Sequence, residues 1–340
     1  MSVNLINAVY LRINDCCNFN CEYCFKHLKK SEKHQMKLST LNDAIEFMKE
    51  HLPHIKAVSI PQREPLYNPI LFRKIVKTLN SNGYRVTNIT TNLFNLTNKV
   101  AKVLKENNTF VLTSYDGIWQ YRRRHANGDD TSQTVLHNIM KLKNRGIRYH
   151  TATVVSGHLV HELFLNYLHL REVTPFIALN LDYNTFCCKS LRTLKQQLIK
   201  IHNHDPDYFF NKIFPVNKTY DSIVNNKVHT NKMCGAGRGG ITINWDGILY
   251  PCYHGDAWEQ LSSRIPVRLG SIYEGIRYDI MEKYRHYSPK CPYPNCFVRI
   301  CGSCYLYNYD TTKDPFIPGI RRCNVLRLLY ITLHQLIGGK

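Results

Sequence analysis

Residues 15–25 read DCCNFNCEYCF, which spaces Cys17, Cys21 and Cys24 as Cys-x3-Cys-x2-Cys. Three thiolates on one short loop can hold three irons of a 4Fe–4S cluster and leave the fourth iron without a protein ligand. An open position on a metal centre is where a substrate or cofactor binds. A structural zinc site is the alternative, but zinc takes four ligands and Cys16 would have to be the fourth. The loop follows directly on an expected strand, and that context favours the iron–sulfur cluster. A second set lies near the other end of the chain: Cys234, Cys252, Cys291, Cys296, Cys301, Cys304 and Cys323, with Gly247 between the first two. Seven cysteines fit a single four-ligand zinc ribbon awkwardly. The count of 13 cysteines is high for a chain in a reducing compartment, where such residues read as ligands or redox groups rather than disulfides. Cys187 and Cys188 are taken as packing residues without a role.

The elements that must carry these groups alternate regularly. Strands are expected at 8–13, 57–62, 84–92, 109–117, 147–156 and 176–183. Helices are expected from Ser39 onward and at 68–83, 98–107, 132–146, 161–170 and 190–203. Such alternation implies right-handed βαβ units and a parallel sheet. Six units are two short of a closed eight-stranded barrel, so the expected fold class is α/β, a partial (β/α)6 barrel. Reactive groups in such folds sit in the loops at the C-terminal ends of the strands. The rhythm stops near residue 205. Residues 1–204 are assigned to the barrel, 205–230 to a polar, irregular linker, and 231–340 to a small cysteine-rich domain with a C-terminal helix. In that last region 240–254 reads as a hairpin turning at Trp245-Asp246-Gly247. Residues 288–325 have little periodicity and need metal rather than a hydrophobic core to hold them.

Composition sets the outer limits. At 340 residues with 44% hydrophobic and 21% charged, the chain can bury a core, and wholesale disorder is excluded. A formal charge of +20 favours a polyanionic partner or an acidic substrate. No apolar run approaches the length of about 18 residues that a membrane span needs, and no signal pattern opens the chain. A cytoplasmic protein without a membrane partner is expected.

The segment CNFNCEYC resembles the defining motif of radical SAM enzymes, including the aromatic Tyr23 before the last cysteine. EPLYN at 64–68 is similar to that family's Gly-Gly-Glu-Pro-Leu-x-Asn element, with Gln62 and Arg63 in place of the glycines. Thr91-Asn92 is similar to a Thr-Asn-Gly, and Ser114-Tyr115-Asp116-Gly117 to a Ser-Leu-Asp-Gly element. The resemblance implies that the open iron binds the amino and carboxylate groups of S-adenosyl-L-methionine (SAM). Reductive cleavage would then yield a 5′-deoxyadenosyl radical that abstracts a substrate hydrogen, fed by an electron donor such as flavodoxin or ferredoxin. The implied cofactor-binding residues are Glu64, for the SAM amino group, with Asn92, Ser114, Asp116 and Arg124. Ser114 and Arg124 would receive the methionine carboxylate.

CGAG through GILYPC, with the cysteine order that follows, resembles a SPASM domain, the auxiliary-cluster extension of radical SAM enzymes that modify peptides and proteins. By that resemblance Cys234, Cys252 and Cys304 hold one auxiliary 4Fe–4S cluster and Cys291, Cys296, Cys301 and Cys323 a second, or the region holds a single cluster. Sulfatase maturases share this plan but carry an aspartate base directly after the cysteine equivalent to Cys252. Tyr253 stands there in this chain, which disfavours formylglycine formation. Tyr253 and His254 are the catalytic candidates. Ribosomal-peptide maturases usually place a peptide-binding domain before the barrel; with a first strand by residue 8, none is expected here.

A peptide or protein side chain is therefore the leading substrate. The charge offers a second reading, modification of a nucleobase or modified nucleotide in DNA or RNA. Its phosphate-tracking surface would be built from the basic stretches 26–37, Arg122–Arg124 and 190–203. A third reading, a non-catalytic zinc-dependent nucleic-acid-binding protein, accounts for cysteines and charge but not for the barrel.

Overall fold

The computed structural model describes residues 6–24, 33–61, 63–227, 233–293, 295–298 and 301–338. The chain forms two compact units. The first comprises Met1–Ser114, Gln120–Tyr149 and Gly235–His286; the second comprises Tyr115–Trp119, His150–Cys234 and Tyr287–Lys340.

In the first unit, β1 (Ala8–Leu11) is followed by a three-residue strand, β2 (Phe19–Cys21). The chain then alternates through α1 (Leu38–His51), β3 (Ala57–Ile60), α2 (Pro69–Ser81), β4 (Arg85–Thr91), α3 (Asn98–Glu106) and β5 (Phe110–Ser114). A short β6 (Arg123–His125) and α4 (Ser132–Asn144) follow. The helices start where the sequence marks them. Asn68 caps α2 by accepting the Leu71 N–H at 3.0 Å, with Pro69 at the first helical position. Thr97 caps α3 through the Val100 N–H at 3.2 Å. Each helix turns an apolar stripe inward, as Phe72, Ile75, Val76 and Leu79 do on α2. The sheet β1-β3-β4-β5 is parallel, with Val9 beside Val58, Ser59 beside Asn88 and Asn88 beside Phe110. Parallel registration brings the loops that follow these four strands to one edge. They carry the first cysteines, Glu64, Asn92 and Ser114.

The second unit takes the chain onward from β7 (Tyr149–Ser156), whose first residue still belongs to the first. It continues through α5 (Leu163–Val173), β8 (Ile177–Asp182), α6 (Cys188–His204), α7 (Pro206–Lys212), β9 (Ile213–Phe214) and α8 (Val216–Val224). β7 and β8 are parallel over Thr151–Ser156 against Ile177–Asp182, and β9 adds to β8 at Ile177 and Ala178. Residues 205–227 are thus largely helical rather than an irregular linker. Asp205 caps α7 through the Tyr208 N–H at 3.1 Å, Pro206 supplies its first position, and Phe209 and Phe210 are buried. The segment reads as polar, yet two adjacent phenylalanines are enough to dock a two-turn helix. Residues 228–230 of the expected linker lie outside the described residues. Cys187 and Cys188, expected to be packed, are exposed at the start of α6.

The chain then returns to the first unit. β10 (Gly240–Ile243) lies parallel to β1, with Ala8 beside Gly240 and Leu11 beside Ile243. β11 (Leu249–Tyr250) folds back antiparallel on β10 after the expected turn, where Gly247 adopts a φ of +87°. A small ladder of β12 (Gly270–Ser271) and β13 (Gly275–Ile276), then α9 (Tyr278–His286), completes that unit. The second unit ends with α10 (Tyr305–Thr312), which the sequence pattern did not signal, and α11 (Ile320–Gly338). Among the described residues no helix is long and apolar enough to cross a membrane.

Candidate radical SAM site

The loop after β1 is held by its own short sheet. β2 pairs antiparallel with β6, setting Phe19 against His125, Asn20 against Arg124 and Cys21 against Arg123. Glu22 donates its N–H to the Arg122 carbonyl at 3.1 Å. The Tyr23 ring receives two guanidinium groups, Arg122 at 4.5 Å and Arg123 at 5.1 Å from its centroid. Both arginines are buried, at 2% and 7% exposure, so the Arg122–Arg124 run is not the exposed phosphate-tracking stretch of the nucleic-acid reading. Within β6 the pleat separates Arg123 from Arg124, because neighbouring residues on a strand point to opposite sides. Arg124 is the exposed member, and its Nη1 donates to the Gly128 carbonyl at 3.1 Å. Residues 26–32 of the expected basic stretch 26–37 lie outside the described residues, as does Gln62.

Cys17, Cys21 and Cys24 are half-buried. Burial pushes the Cys17 thiol up to about 12, and the charges of Glu64, Cys21 and Cys24 add to the shift. Glu64, Cys21 and Cys24 therefore lie within electrostatic reach of Cys17. Without a cation such a site keeps its thiol protonated; a bound metal ion reverses that and makes the thiolate the stable form. The donor set fits an iron–sulfur cluster. Cys16 is occupied differently: its Sγ faces Asp15 Oδ1 at 3.8 Å and the His34 carbonyl at 3.5 Å, and it is 3% exposed. Among the described residues no three or more His, Cys, Asp or Glu side chains already stand at ligating distances around one point.

Glu64, at the end of β3, is 1% exposed. Its Oε1 accepts from the Leu66 N–H at 2.9 Å and Thr91 Oγ1 at 2.6 Å, and its Oε2 from the Asn92 N–H at 2.6 Å. Burial nevertheless raises its carboxyl to about 7 against these three bonds. Asn92 in turn donates Nδ2 to Asn18 Oδ1 at 2.8 Å, tying the β4 end to the cysteine loop. Asn14 Nδ2 donates to the Glu64 carbonyl at 3.1 Å. Asn14 and Asn18 are partners that the sequence reading overlooked; the only available signal was their position inside a chemistry-bearing loop. Ser114 ends β5 half-buried. Arg63 and Leu93, both standing at glycine positions of the family elements, keep left-handed backbones with φ of +58° and +64°.

Asp116 belongs to the second unit and is fully buried. Its Oδ1 accepts the Val154 N–H at 2.8 Å, and its carbonyl accepts Asn166 Nδ2 at 3.1 Å. The carboxylate thus fastens the loop after β5 to β7.

Cys291, Cys296, Cys301 and Cys323 all line one small cavity of the second unit. Burial raises the Cys323 thiol to about 11, helped by the charges of Cys301, Cys291 and Cys296. This set suits a metal centre of four thiolates. Cys234, in the same unit, donates its N–H to the Ser303 carbonyl at 2.8 Å, next to Cys304. Cys252 is in the first unit, after β11, where burial and its charge raise the Tyr10 phenol. Tyr253 meets Tyr10 edge-on at 5.6 Å, and His254 lies 4.9 Å from Tyr253.

The family model of the radical SAM superfamily matches residues 11–164, from the end of β1 through β7 and including the cysteine loop. Over that span the chain is similar to the radical SAM superfamily. Over 161 residues it is 31% identical to an uncharacterized protein of Methanocaldococcus jannaschii, covering 46% of this chain and 55% of that one. Over 278 residues it is 24% identical to the radical SAM cyclopropyl synthase TigE of Paramaledivibacter caminithermalis, covering 73% and 57%. It thus spans little more than half the length of these two relatives. Among solved structures, anSMEcpe with bound AdoMet superposes at a TM-score of 0.79 and 18% identity over 98% of both chains. SuiB of Streptococcus suis, bound to precursor peptide SuiA, gives 0.62 at 13% identity over 94% of this chain and 76% of SuiB. These likenesses show the fold, a partial (β/α)6 radical SAM barrel with a cysteine-rich C-terminal region.

Proposed function

We propose that this chain is a radical SAM enzyme that reductively cleaves SAM and abstracts a hydrogen from a peptide or protein side chain. The observation that carries the reading is that Cys21, Cys24 and the buried Glu64 lie within charge range of Cys17 at the ends of parallel strands. Cys17, Cys21 and Cys24 would hold a 4Fe–4S cluster. When bound, that cluster supplies the electron that splits SAM into methionine and a 5′-deoxyadenosyl radical. Glu64 presents a buried carboxylate, pre-oriented by three donors, as the acceptor for the SAM amino group. Asn92 and the half-buried Ser114 offer polar atoms at the neighbouring strand ends. Arg124, the exposed member of its run, is the candidate for the methionine carboxylate. The burial of Asp116 against Val154 supports a part in shaping the strand-end loop rather than a direct contact.

The peptide substrate is supported by relatives of the same fold solved with peptides bound, anSMEcpe with the Kp18Cys peptide and SuiB with SuiA. Residues 231–340 would carry one or two auxiliary 4Fe–4S clusters on the C-terminal cysteines. Tyr253 and His254 stay the catalytic candidates, beside Cys252.

Anaerobically reconstituted protein should form 5′-deoxyadenosine from SAM and reductant. The triple variant with Cys17, Cys21 and Cys24 changed to Ala should form none while keeping about 4 to 8 irons per chain, the content of one or two cubane clusters. Turnover by that variant would sink the assignment. DNA or RNA should leave the rate unchanged; stimulation by nucleic acid would displace the peptide substrate.

A further inference from the structure

Arg322, on the first turn of α11, is a cation in an unfavourable place. It is 7% exposed, and the positive end of a helix dipole gives a guanidinium no help. Among the described residues no carboxylate reaches it. Its Nη1 donates to Cys301 Sγ at 3.2 Å, and its Nη2 donates to the Gly302 carbonyl at 3.0 Å and to the Cys301 carbonyl. The guanidinium also lies over the Tyr183 ring, 5.6 Å from its centroid. A buried charge persists only where an opposite charge or full hydrogen bonding offsets its desolvation. The nearby groups able to carry negative charge are the sulfurs of Cys301 and Cys304 and the Tyr183 phenol. Of these, Cys301 takes a direct hydrogen bond, and Cys301 also lines the four-cysteine cavity.

We infer that Arg322 is a positioning residue for the metal centre of Cys291, Cys296, Cys301 and Cys323, clamping the Cys301 thiolate and raising the centre's reduction potential. This rests on the reading of those cysteines as iron–sulfur ligands. Hydrogen bonds to ligand sulfur are a principal lever on cluster potential. Reduction adds one electron to a centre already negative from its thiolates, so an adjacent fixed cation stabilises the reduced form more than the oxidised form. The two carbonyl bonds fix the fork, and Tyr183 covers one face, so the charge is held in place.

The test is a potentiometric titration followed by electron paramagnetic resonance on the full reconstituted chain carrying the Cys17, Cys21 and Cys24→Ala changes. Adding Cys291→Ala to that background identifies which signal belongs to the four-cysteine centre. Arg322→Gln should move that signal to lower potential by about 59 mV, a tenfold change in a one-electron equilibrium. Arg322→Lys, which keeps the charge but loses the fork, should fall between. Unaltered iron content with an unaltered potential in Arg322→Gln would overturn the role. Loss of iron in both variants would make Arg322 a structural support only, which also overturns it. A background protein loaded with zinc and no iron would instead remove the iron–sulfur reading itself.

Discussion

Glu64 Oε2 accepts the Asn92 N–H at 2.6 Å, so one buried carboxylate closes the loop after β3 onto the loop after β4. Because its other oxygen is held by Leu66 and Thr91, the group is fixed before any ligand arrives. Glu64→Ala leaves three buried donors without an acceptor and should cost about 3 kcal/mol in urea unfolding. Glu64→Gln keeps the shape but turns an amide N–H₂ toward donors. It should fold with a smaller loss, yet bind SAM far more weakly by calorimetry. Wild-type SAM affinity in Glu64→Gln would remove the carboxylate from the cofactor site.

Arg63 precedes Glu64 with a φ of +58°, a conformation that costs a side-chain-bearing residue about 1–2 kcal/mol. Arg63→Gly should therefore unfold at or above the wild-type denaturant midpoint. Arg63→Val, with branching at Cβ, should unfold well below it. Equal stability for the two variants would mean that the left-handed backbone carries no strain.

The Tyr23 ring links the cysteine loop to β6 through two stacked guanidiniums. Tyr23→Phe keeps the π face and should retain full iron at the N-terminal site. Tyr23→Leu removes the aromatic face shared by two buried arginines and should lower the occupancy of that site in the reconstituted protein. Iron assays of both variants, set against Cys17/Cys21/Cys24→Ala as the empty-site reference, read the difference.

Gly117 follows Asp116 at a φ of +67°, and a Cβ there would lie 2.0 Å from Asn166 Oδ1. That same oxygen accepts the Ile118 N–H at 2.9 Å. Gly117→Ala should destabilise the protein by about 3 kcal/mol, since both the backbone and the Asn166 side chain must shift. A melting temperature unchanged from wild type would show that this loop yields without cost.

The sequence by itself determined the six-strand alternation, the Cys17/Cys21/Cys24 spacing, the hairpin at Gly247 and the resemblance to the radical SAM superfamily. Each of these depends on local periodicity or on residues close together in the chain. The helices of 206–224 were hidden because a short helix in a polar segment needs only two buried aromatics, Phe209 and Phe210, and a cap at Asp205. That Arg123 is buried while Arg124 is exposed was decided by the pairing of β6 with β2, about a hundred residues apart, because the pleat assigns each side chain its face. The same holds for Glu64, whose type and spacing named it but whose fixed carboxylate exists only once Thr91 and Asn92 arrive from the next strand. Arg322 had no pattern to announce it. Its meaning comes from its hydrogen bond to Cys301, 21 residues earlier, and from the burial that makes a guanidinium depend on its partners.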